Sequence, residues 1–415
     1  MVKMNLEYLN KYARLLVQAG LNVKEDQIVV IKAPVEAAKF VRLVVKECFE
    51  RKAYDVIVKY QDEDITCQRY LKANKEVFDE MPDYDADFYN TTAQKGACYL
   101  SLVGEDPDLM KDVDANRMMS FQKSSRKKTR EYRNRLDFME CQWCVAAVAI
   151  PSWAKKVYPD VEEAKAVEML WEAIFKVSRI DENDPIENWN THRLSFERRV
   201  EKLNSLGIES LHYTNSLGTD LVVGLPEDYV FAGGGSYLKD GTYYFANIPT
   251  EEVFSTPHCQ RIDGKLYASL PLVYNGNLIE DFWFEFKDGR VVDFDARTGK
   301  EVLQSILDAD EGSRSLGEVA LVPYGSPISM LHTLFYETLI DENASCHFAL
   351  GQSYAECLKG ALEQDAKTQL KRGANQSLVH VDFMVGTKDL SIIAKAKDGS
   401  KVPVFVDGKY SQEFD

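Results

Sequence analysis

The first 200 residues alternate between short apolar runs and longer amphipathic ones. The short runs are typical of buried strands and are Gln27–Lys32, Asp55–Tyr60, Cys98–Val103 and Cys144–Ile150. Apolar residues recur at helical spacing in two longer segments, Val35–Arg51 and Glu162–Arg179. Strands that alternate with helices of this length form βαβ units, so this half predicts an α/β domain with a mainly parallel sheet.

The pattern changes after a helix predicted at Thr191–Leu206. From Ile208 onward the segments are short and alternating, and Asp-Gly or Asn-Gly pairs that favour positive φ predict hairpin turns between them. These pairs are Asp240-Gly241, Asp263-Gly264, Asn275-Gly276 and Asp288-Gly289. Helical spacing predicts helices at Thr298–Asp308 and Ser329–Glu337, and the last apolar runs predict strands at Leu378–Val385 and Ser391–Lys397. The second half is therefore predicted to be mixed α+β with antiparallel sheet.

The change of pattern puts a domain boundary between residues 207 and 230. We therefore predict an α/β domain over 1–215, contributing to a dimer, and an α+β catalytic domain over 216–415. A chain of 415 residues is long enough for two such domains, and 45% hydrophobic with 28% charged residues is typical of globular proteins. Apolar runs of about 18 residues are absent from the sequence, and its charged, polar N-terminus does not resemble a signal peptide. We expect a cytoplasmic protein with no membrane partner.

Charge and cysteine content exclude further classes. Lys and Arg number 50 against 66 Asp and Glu, and the resulting charge of −16 repels nucleic acid. One basic run, KSSRKKTREYRNR over 123–135, is interpreted as a solvated helix face, with a phosphate-binding patch or a docking surface as the alternatives. Eight dilute cysteines are expected to be reduced, and the single C-x-x-C pair, Cys141 and Cys144, is interpreted as structural, with a redox or metal role as the alternative.

Candidate chemistry concentrates in the second half. His380 and Asp382 lie in SLVHVDFMVG, where the period of two in a strand puts both side chains on one face. Such a pair can supply two ligands to a divalent metal, although a hydrogen-bonded pair in a core has the same pattern. Glu342 and His347 lie five residues apart in LIDENASCHFALGQSY, so a bend must bring them together.

The same segment has a purely structural alternative. Asp341 or Asn343 can cap a helix that begins near Ala344. Two more acidic positions occur upstream, in NIPTEEVFSTP with Glu251 and Glu252, and in SLGEVALVP, where Glu318 opens an apolar strand. Adjacent glutamates are usually surface residues. An acid at the head of a core strand is harder to explain structurally. The triple glycine Gly233-Gly234-Gly235 is interpreted as a tight turn.

These segments together offer four carboxylates and two imidazoles, from Glu252, Glu318, Glu342, His347, His380 and Asp382. This donor set suits two borderline divalent ions such as Zn²⁺, Co²⁺ or Mn²⁺, about 3.5–4 Å apart. Four acids against two divalent ions leave the cluster near neutrality, so that it can be buried.

The four segments, in this order and spacing, closely resemble the M29 aminopeptidases, the thermophilic type of metallo-aminopeptidase. The resemblance implies a two-domain, usually dimeric exopeptidase with two cocatalytic divalent metals in its C-terminal domain. It implies that the six residues above are metal ligands and that Tyr354 is the phenol beside the metals. Ser345-Cys346 and Phe348 depart from the family, which has smaller residues there; we expect these changes to affect packing more than ligation.

We therefore expect an aminopeptidase that releases N-terminal amino acids from peptides with a free N-terminus, using a water activated between the metals. Glu318 is the candidate bridging ligand or general base, Glu251 is a rival base, and Tyr354 is the candidate oxyanion donor. One alternative is a dimetal dipeptidase or carboxypeptidase, in which Arg314 or Lys300 would hold the substrate carboxylate. The other is a non-catalytic peptide-binding relative.

Overall fold

The computed structural model describes residues 6–274 and 276–414. The α-helices of this part are, in chain order, α1 (Leu6–Leu15), α2 (Ala38–Glu50), α3 (Glu63–Lys72), α4 (Glu76–Asp79), α5 (Asp83–Gln94), α6 (Ala115–Lys128), α7 (Arg130–Asp137), α8 (Pro151–Val157), α9 (Glu163–Val177), α10 (Pro185–Ser205), α11 (Lys300–Leu307), α12 (Thr338–Asp341) and α13 (Ala366–Lys371).

The β-strands of the same part are β1 (Ile28–Pro34), β2 (Asp55–Gln61), β3 (Cys98–Val103), β4 (Trp143–Ala147), β5 (Ile208–Thr214), β6 (Asp220–Gly224), β7 (Ala232–Gly233), β8 (Ser236–Tyr237), β9 (Tyr243–Tyr244), β10 (Asn247–Ile248), β11 (Val253–Ser255), β12 (Ile262–Tyr267), β13 (Leu272–Tyr274), β14 (Asn277–Lys287), β15 (Arg290–Thr298), β16 (Leu316–Leu321), β17 (His347–Gly351), β18 (His380–Met384), β19 (Ser391–Ala396), β20 (Lys401–Val406) and β21 (Lys409–Tyr410).

The chain divides into two compact units. The first contains the residues up to Asn190 together with Gly235–Pro249 and Thr333–Leu339. The second contains Thr191–Gly234, Thr250–His332 and the residues from Ile340 onward. Across the described residues, no helix combines the length and the apolar character that a membrane span requires.

The first unit is built on a parallel sheet with the strand order β10-β4-β3-β1-β2. Its strands β1 to β4 coincide closely with the four predicted from apolar runs, and all neighbouring pairs are parallel. The structure of helix α9 accounts for the helical spacing of apolar residues in this segment. Glu162 caps the first turn of the helix, and its buried face is formed by Ala166, Leu170 and Ile174. The predicted α/β architecture of this half is confirmed.

The second unit contains two antiparallel sheets. The site sheet has the order β18-β17-β16-β11-β7, and the large sheet runs β13-β14-β12-β6-β5-β19-β20-β21, with β15 beside β14. Apolar side chains from both sheets form one core, in which the rings of Tyr213 and Phe348 lie 5.1 Å apart. The predicted α+β class with antiparallel sheet is confirmed.

The hairpin predictions have mixed outcomes. Asp240-Gly241 and Asp288-Gly289 do form turns, between β8 and β9 and between β14 and β15. Asn275 lies outside the described residues. The prediction of a turn at Asp263-Gly264 is wrong, because both residues belong to β12. Gly264 has φ of 122°, and a Cβ there would lie 2.1 Å from the carbonyl oxygen of Asp220, so glycine lets β6 approach closely.

Some helix and strand predictions also change. The helix predicted from Thr191 begins earlier, at Pro185. The helix predicted over Ser329–Glu337 is wrong: only Ser329–Leu331 forms a 3-10 turn, because His332 and Tyr336 adopt positive φ. Strands β20 and β21, which follow the last predicted strand, complete the large sheet.

The cysteines are buried, and part of the basic run forms local ion pairs. All eight cysteines are free and buried. In the basic run, Lys128 contacts Glu80 and Asp83, and Arg135 contacts Glu131. These pairs neutralise two of its cations locally, which favours the interpretation as a solvated helix face.

Candidate metal site

Strand register brings the candidate residues to one face of the site sheet. Glu318 on β16 pairs with Ala349 on β17, which in turn pairs with Asp382 on β18. In the next row along these strands, Ala320 pairs with His347. Because side chains alternate along a strand, all of these residues share one face.

The remaining candidates extend the same face. His380 lies two positions before Asp382, and Glu252 lies two positions before Phe254, which pairs with Ala320. The opposite face of these strands carries Val319, Phe348 and Phe383, which are buried in the core of the second unit. One set of strands therefore supplies both the core and the candidate site.

The donor atoms form two groups that share Glu318. In the first group, Glu252, Glu318 and His347 place one donor atom each within 4.8 Å of one another. In the second, Glu318, His380 and Asp382 do the same. Within these groups, Nε2 of His347 lies 3.2 Å from Oε2 of Glu252, and Nε2 of His380 lies 3.0 Å from Oε2 of Glu318. The structure thus creates two adjacent donor sets joined by one carboxylate.

Both imidazoles are oriented by main-chain carbonyl groups. Nδ1 of His380 lies 2.7 Å from the carbonyl oxygen of Gln352, and Nδ1 of His347 lies 3.2 Å from that of Ser345. A carbonyl can only accept a hydrogen bond, so Nδ1 carries the proton in both rings. The lone pair of the neutral imidazole is then on Nε2, which points to the carboxylates.

Glu342 adjoins these groups from a short 3-10 turn, Glu342–Ala344, directly before β17. The alternative of a helix that begins near Ala344 is wrong, because the turn ends there and β17 starts at His347. Glu342 is half-buried, and its nearest charged neighbours include Glu252 and Asp382. Its carboxylate therefore faces the cluster, although it belongs to neither three-residue group.

Comparison with known proteins identifies the family. The family model described as thermophilic metalloprotease (M29) matches residues 5–410. The chain belongs to peptidase family M29. It is 41% identical over 403 residues to aminopeptidase AmpS of Bacillus subtilis, covering 97% of this chain and 98% of that one. It is 37% identical over 404 residues to aminopeptidase T of Thermus aquaticus, with 97% and 98% coverage. The solved structure of wild-type AmpT from Thermus thermophilus has 36% identity and a TM-score of 0.90, covering 98% of this chain and 99% of that one.

Membership of M29 confirms the resemblance inferred from the four segments. It also confirms the predicted class of enzyme, a hydrolase of the metalloprotease type, and the prediction of a metal-dependent aminopeptidase at the level of the family. The family implies a divalent metal and peptide substrates. The mixed α/β architecture of this chain agrees with that of the AmpT structure.

Without a bound metal, two carboxyl groups of the M29 site, those of Glu318 and Glu342, have raised pKa values. Burial raises the pKa of Glu318 to about 7, partly offset by the hydrogen bond with His380. Burial and the charges of Glu252 and Asp382 raise the pKa of Glu342 well above its usual value. Carboxyl groups that resist ionisation in this way lack a sufficient counter-charge.

The pKa values of the two imidazoles are also raised, but for an imidazole a raised pKa favours the charged form. Burial alone would lower the pKa of His347, but hydrogen bonding to Glu252 and the surrounding carboxylate charges raise it to about 10. His380 behaves similarly, because Asp382 and Glu318 outweigh burial and raise its pKa to about 11. In the absence of a metal, protons therefore occupy the positions that a cation would neutralise.

The donor set fits a divalent metal. Oδ1 of Asp382 is buried without a well-aligned hydrogen bond, and it forms an ion pair with Nε2 of His380, 3.3 Å away. A buried carboxylate oxygen that is poorly satisfied in this way gains from a bound cation. Carboxylate oxygens combined with imidazole nitrogens are ligands that zinc, cobalt and manganese accept.

Tyr354 lies at the margin of this site. Its hydroxyl is 3.3 Å from Nε2 of His380, and its ring packs against Phe254 and the imidazole of His380. Burial of the phenol and the nearby charge of Glu318 raise the pKa of Tyr354 well above its usual value. The hydroxyl therefore stays protonated and can donate a hydrogen bond.

Other candidates are engaged elsewhere. Oε2 of Glu251 lies 3.8 Å from Nε2 of His192, and Glu251 belongs to neither donor group. Arg314 pairs with Asp308 and Lys300 with Asp295. The departure at Cys346 is a packing feature, because its thiol hydrogen-bonds with the backbone of Val322.

Several residues that shape the site were not anticipated from the sequence. Gln352 and Ser345 orient the imidazoles through main-chain carbonyls, which leave no residue signature. Phe254 could have been found by counting two positions from Glu252. The triple glycine is not simply a turn: Gly233 belongs to β7, and a Cβ there would lie 2.5 Å from the carbonyl oxygen of Glu252.

Proposed function

We propose that this chain is an aminopeptidase that uses two divalent metal ions, one held by Glu252, Glu318 and His347 and the other by Glu318, His380 and Asp382. The observation that carries the proposal is the shared carboxylate of Glu318, which has donor atoms of both groups within 4.8 Å. Glu342 would complete the first group, since Glu252 is the charged residue that affects its pKa most, ahead of Asp382 of the second group.

Bound ions of this kind lower the pKa of a coordinated water and polarise the scissile carbonyl. The residues of the chain would supply the remaining steps. Glu318, which adjoins both donor groups, would accept the proton of the attacking water and return it to the leaving amine, with Glu251 as the rival candidate for this role. The hydroxyl of Tyr354 would donate a hydrogen bond to the oxyanion of the tetrahedral intermediate.

Release from the N-terminus is favoured over release from the C-terminus. A carboxypeptidase or dipeptidase needs a cation that holds the substrate carboxylate. The two candidates for that role, Arg314 and Lys300, are 2.7 Å and 3.0 Å from Asp308 and Asp295 respectively. The full-length relatives are also named aminopeptidases. A homodimer, a cytoplasmic location and the choice among Zn²⁺, Co²⁺ and Mn²⁺ stay predictions.

The proposal is tested by metal titration combined with two substrates. After chelation, the protein should bind two Co²⁺ or Zn²⁺ per chain and regain hydrolysis of leucine p-nitroanilide. Acetylation of the substrate amine should abolish cleavage. A single bound ion at saturation would contradict the dinuclear centre, and cleavage of the acetylated substrate would contradict an aminopeptidase.

Glu318→Gln separates a ligand from a base. If Glu318 binds both ions, the variant should lose metal as well as turnover, because an amide oxygen is a weaker ligand than a carboxylate. If both metals are retained and only kcat falls, Glu318 acts as a base alone. Glu285→Gln, an exposed glutamate of β14 in the same unit, is the matched control and should leave both quantities unchanged.

A further inference from the structure

The short segment that carries Glu252 is held by side chains from elsewhere in the second unit. Thr250, Glu251 and Glu252 precede β11 and belong to no helix or strand. The amide of Glu251 donates a hydrogen bond of 2.7 Å to Oδ1 of Asn343. Nε2 of His192 lies 2.8 Å from the carbonyl oxygen of Thr250. Without a regular hydrogen-bond ladder, the position of this segment depends on such contacts.

Asn343 also contacts a second proposed ligand. Its Nδ2 lies 3.4 Å from Oε1 of Glu342, and the residue is fully buried. One end of the side-chain amide thus binds the main chain next to Glu252, and the other end faces the carboxylate of Glu342. The amide therefore connects two separate parts of the chain, one that carries Glu252 and one that carries Glu342, the carboxylate proposed above to complete the first group.

We propose that Asn343 is a positioning residue that fixes the spacing between Glu252 and Glu342 and so sets the affinity of the metal in the first group. This inference rests on the proposed two-metal function. The second group has a different support, the bond between His380 and the carbonyl of Gln352. Residues that orient ligands typically change metal affinity 10–100-fold, so loss of Asn343 should weaken one ion selectively.

The chemistry of the position requires an amide. The Glu251 amide needs an acceptor, whereas the carboxylate of Glu342 needs a donor. Asparagine offers both at this length, aspartate offers only acceptors when ionised, and alanine offers neither. Two substitutions at position 343 therefore separate the two contacts.

The first test is Asn343→Ala, followed by Co²⁺ titration of the chelated full-length protein. We expect one ion to bind with wild-type affinity and the other about 10–100-fold more weakly. Hydrogen exchange in the 250–252 segment should become faster. Asn204→Ala is the matched control, because Asn204 bonds both backbone groups of Phe231 in the same two-ended way. It should leave both affinities unchanged.

Asn343→Asp keeps the acceptor for the Glu251 amide, so the 250–252 segment should stay in place. This variant provides a second test if the alanine variant does not fold. We expect slow exchange at 250–252 with selective weakening of the same ion, because Glu342 loses its donor. Unchanged or tighter binding of both ions, or equal weakening of both, would overturn the role of Asn343. A wild-type protein that binds only one ion would instead overturn the proposed function.

Discussion

The phenol of Tyr354 combines two properties that rarely occur together at one residue. The residue is 44% exposed, so a substrate can reach it, while partial burial of the phenol and the nearby carboxylates raise its pKa and keep its proton in place. Its hydroxyl is 3.3 Å from the ring nitrogen that would bind a metal. A protonated donor next to a reacting carbonyl stabilises charge that appears only in the transition state.

Tyr354→Phe should therefore lower kcat by about 100-fold, with KM and the number of bound metals nearly unchanged, because one oxyanion donor is lost. Steady-state kinetics with leucine p-nitroanilide and metal analysis measure this split. Tyr267→Phe, on β12 of the same unit, serves as the control and should behave as wild type. An unchanged kcat in the Tyr354 variant would exclude the donor role.

Among the elements, the three strands β16, β17 and β18 determine the site. Their register places alanines at the centre of the ligand-bearing face, with Ala349 between Glu318 and Asp382 and with Ala320 beside His347. A methyl group is the smallest side chain that still packs on a strand. The two alanines therefore leave room above the sheet for the proposed ions.

Ala349→Val should fill this space. Valine suits a strand, so the backbone is not disfavoured, but its added methyl groups would stand between Glu318 and Asp382. We expect Co²⁺ affinity to fall by about tenfold or more, since ligand geometry is disturbed. Titration of the chelated variant checks this. Ala296→Val, on a half-buried position of β15, is the control. Wild-type binding by the Ala349 variant would show that the space is not needed.

The sequence predicts elements best where the periodic pattern is long. The parallel strands of the first unit follow from apolar runs, and α9 follows from helical spacing. The sequence is a poor guide where a strand is only a few residues long and pairs with a strand far away along the chain, as β10 does with β4. The Asp-Gly pair at Asp263 misleads because glycine there serves a close approach between strands.

For the site, the period of two correctly groups His380 with Asp382, since both donor atoms join Glu318. The convergence of Glu252, Glu318 and His347 could not be derived from periodicity, because it depends on the pairing of β11, β16 and β17. The motif resemblance supplied that convergence instead. The bond from Glu251 to Asn343 escaped both approaches, because a local capping role explained Asn343 equally well.

At the scale of the whole molecule, the site changes the meaning of the net charge of −16. Four of the acidic residues belong to a partly buried cluster, where they share protons with two imidazoles in the absence of metal. His347 and His380 have pKa values raised to about 10 and about 11. Both rings are therefore protonated at neutral pH, and a metal can bind Nε2 only by displacing a proton.

Metal binding at about pH 8 should consequently release at least about two protons per chain, one from each imidazole, with a further contribution from the carboxyl group of Glu342, whose pKa is also raised. Affinity should weaken as the pH falls, because protons compete for the same nitrogens. Calorimetric titrations in buffers of different ionisation enthalpy measure the released protons. His380→Ala should remove about one proton from the total. Enthalpies that do not depend on the buffer would contradict the raised pKa values.

The two-faced strands of the site sheet also matter for protein engineering. Phe348 lies between His347 and Ala349 along β17, and Phe383 follows Asp382 on β18; their rings are 6.4 Å apart in the core. We expect substitutions in that core to disturb the strands that carry the proposed metal ligands. In directed evolution for heat resistance, we therefore expect substitutions that raise the melting temperature without loss of turnover to lie in the parallel sheet of the first unit. Substitutions of the two phenylalanines should change stability and turnover together.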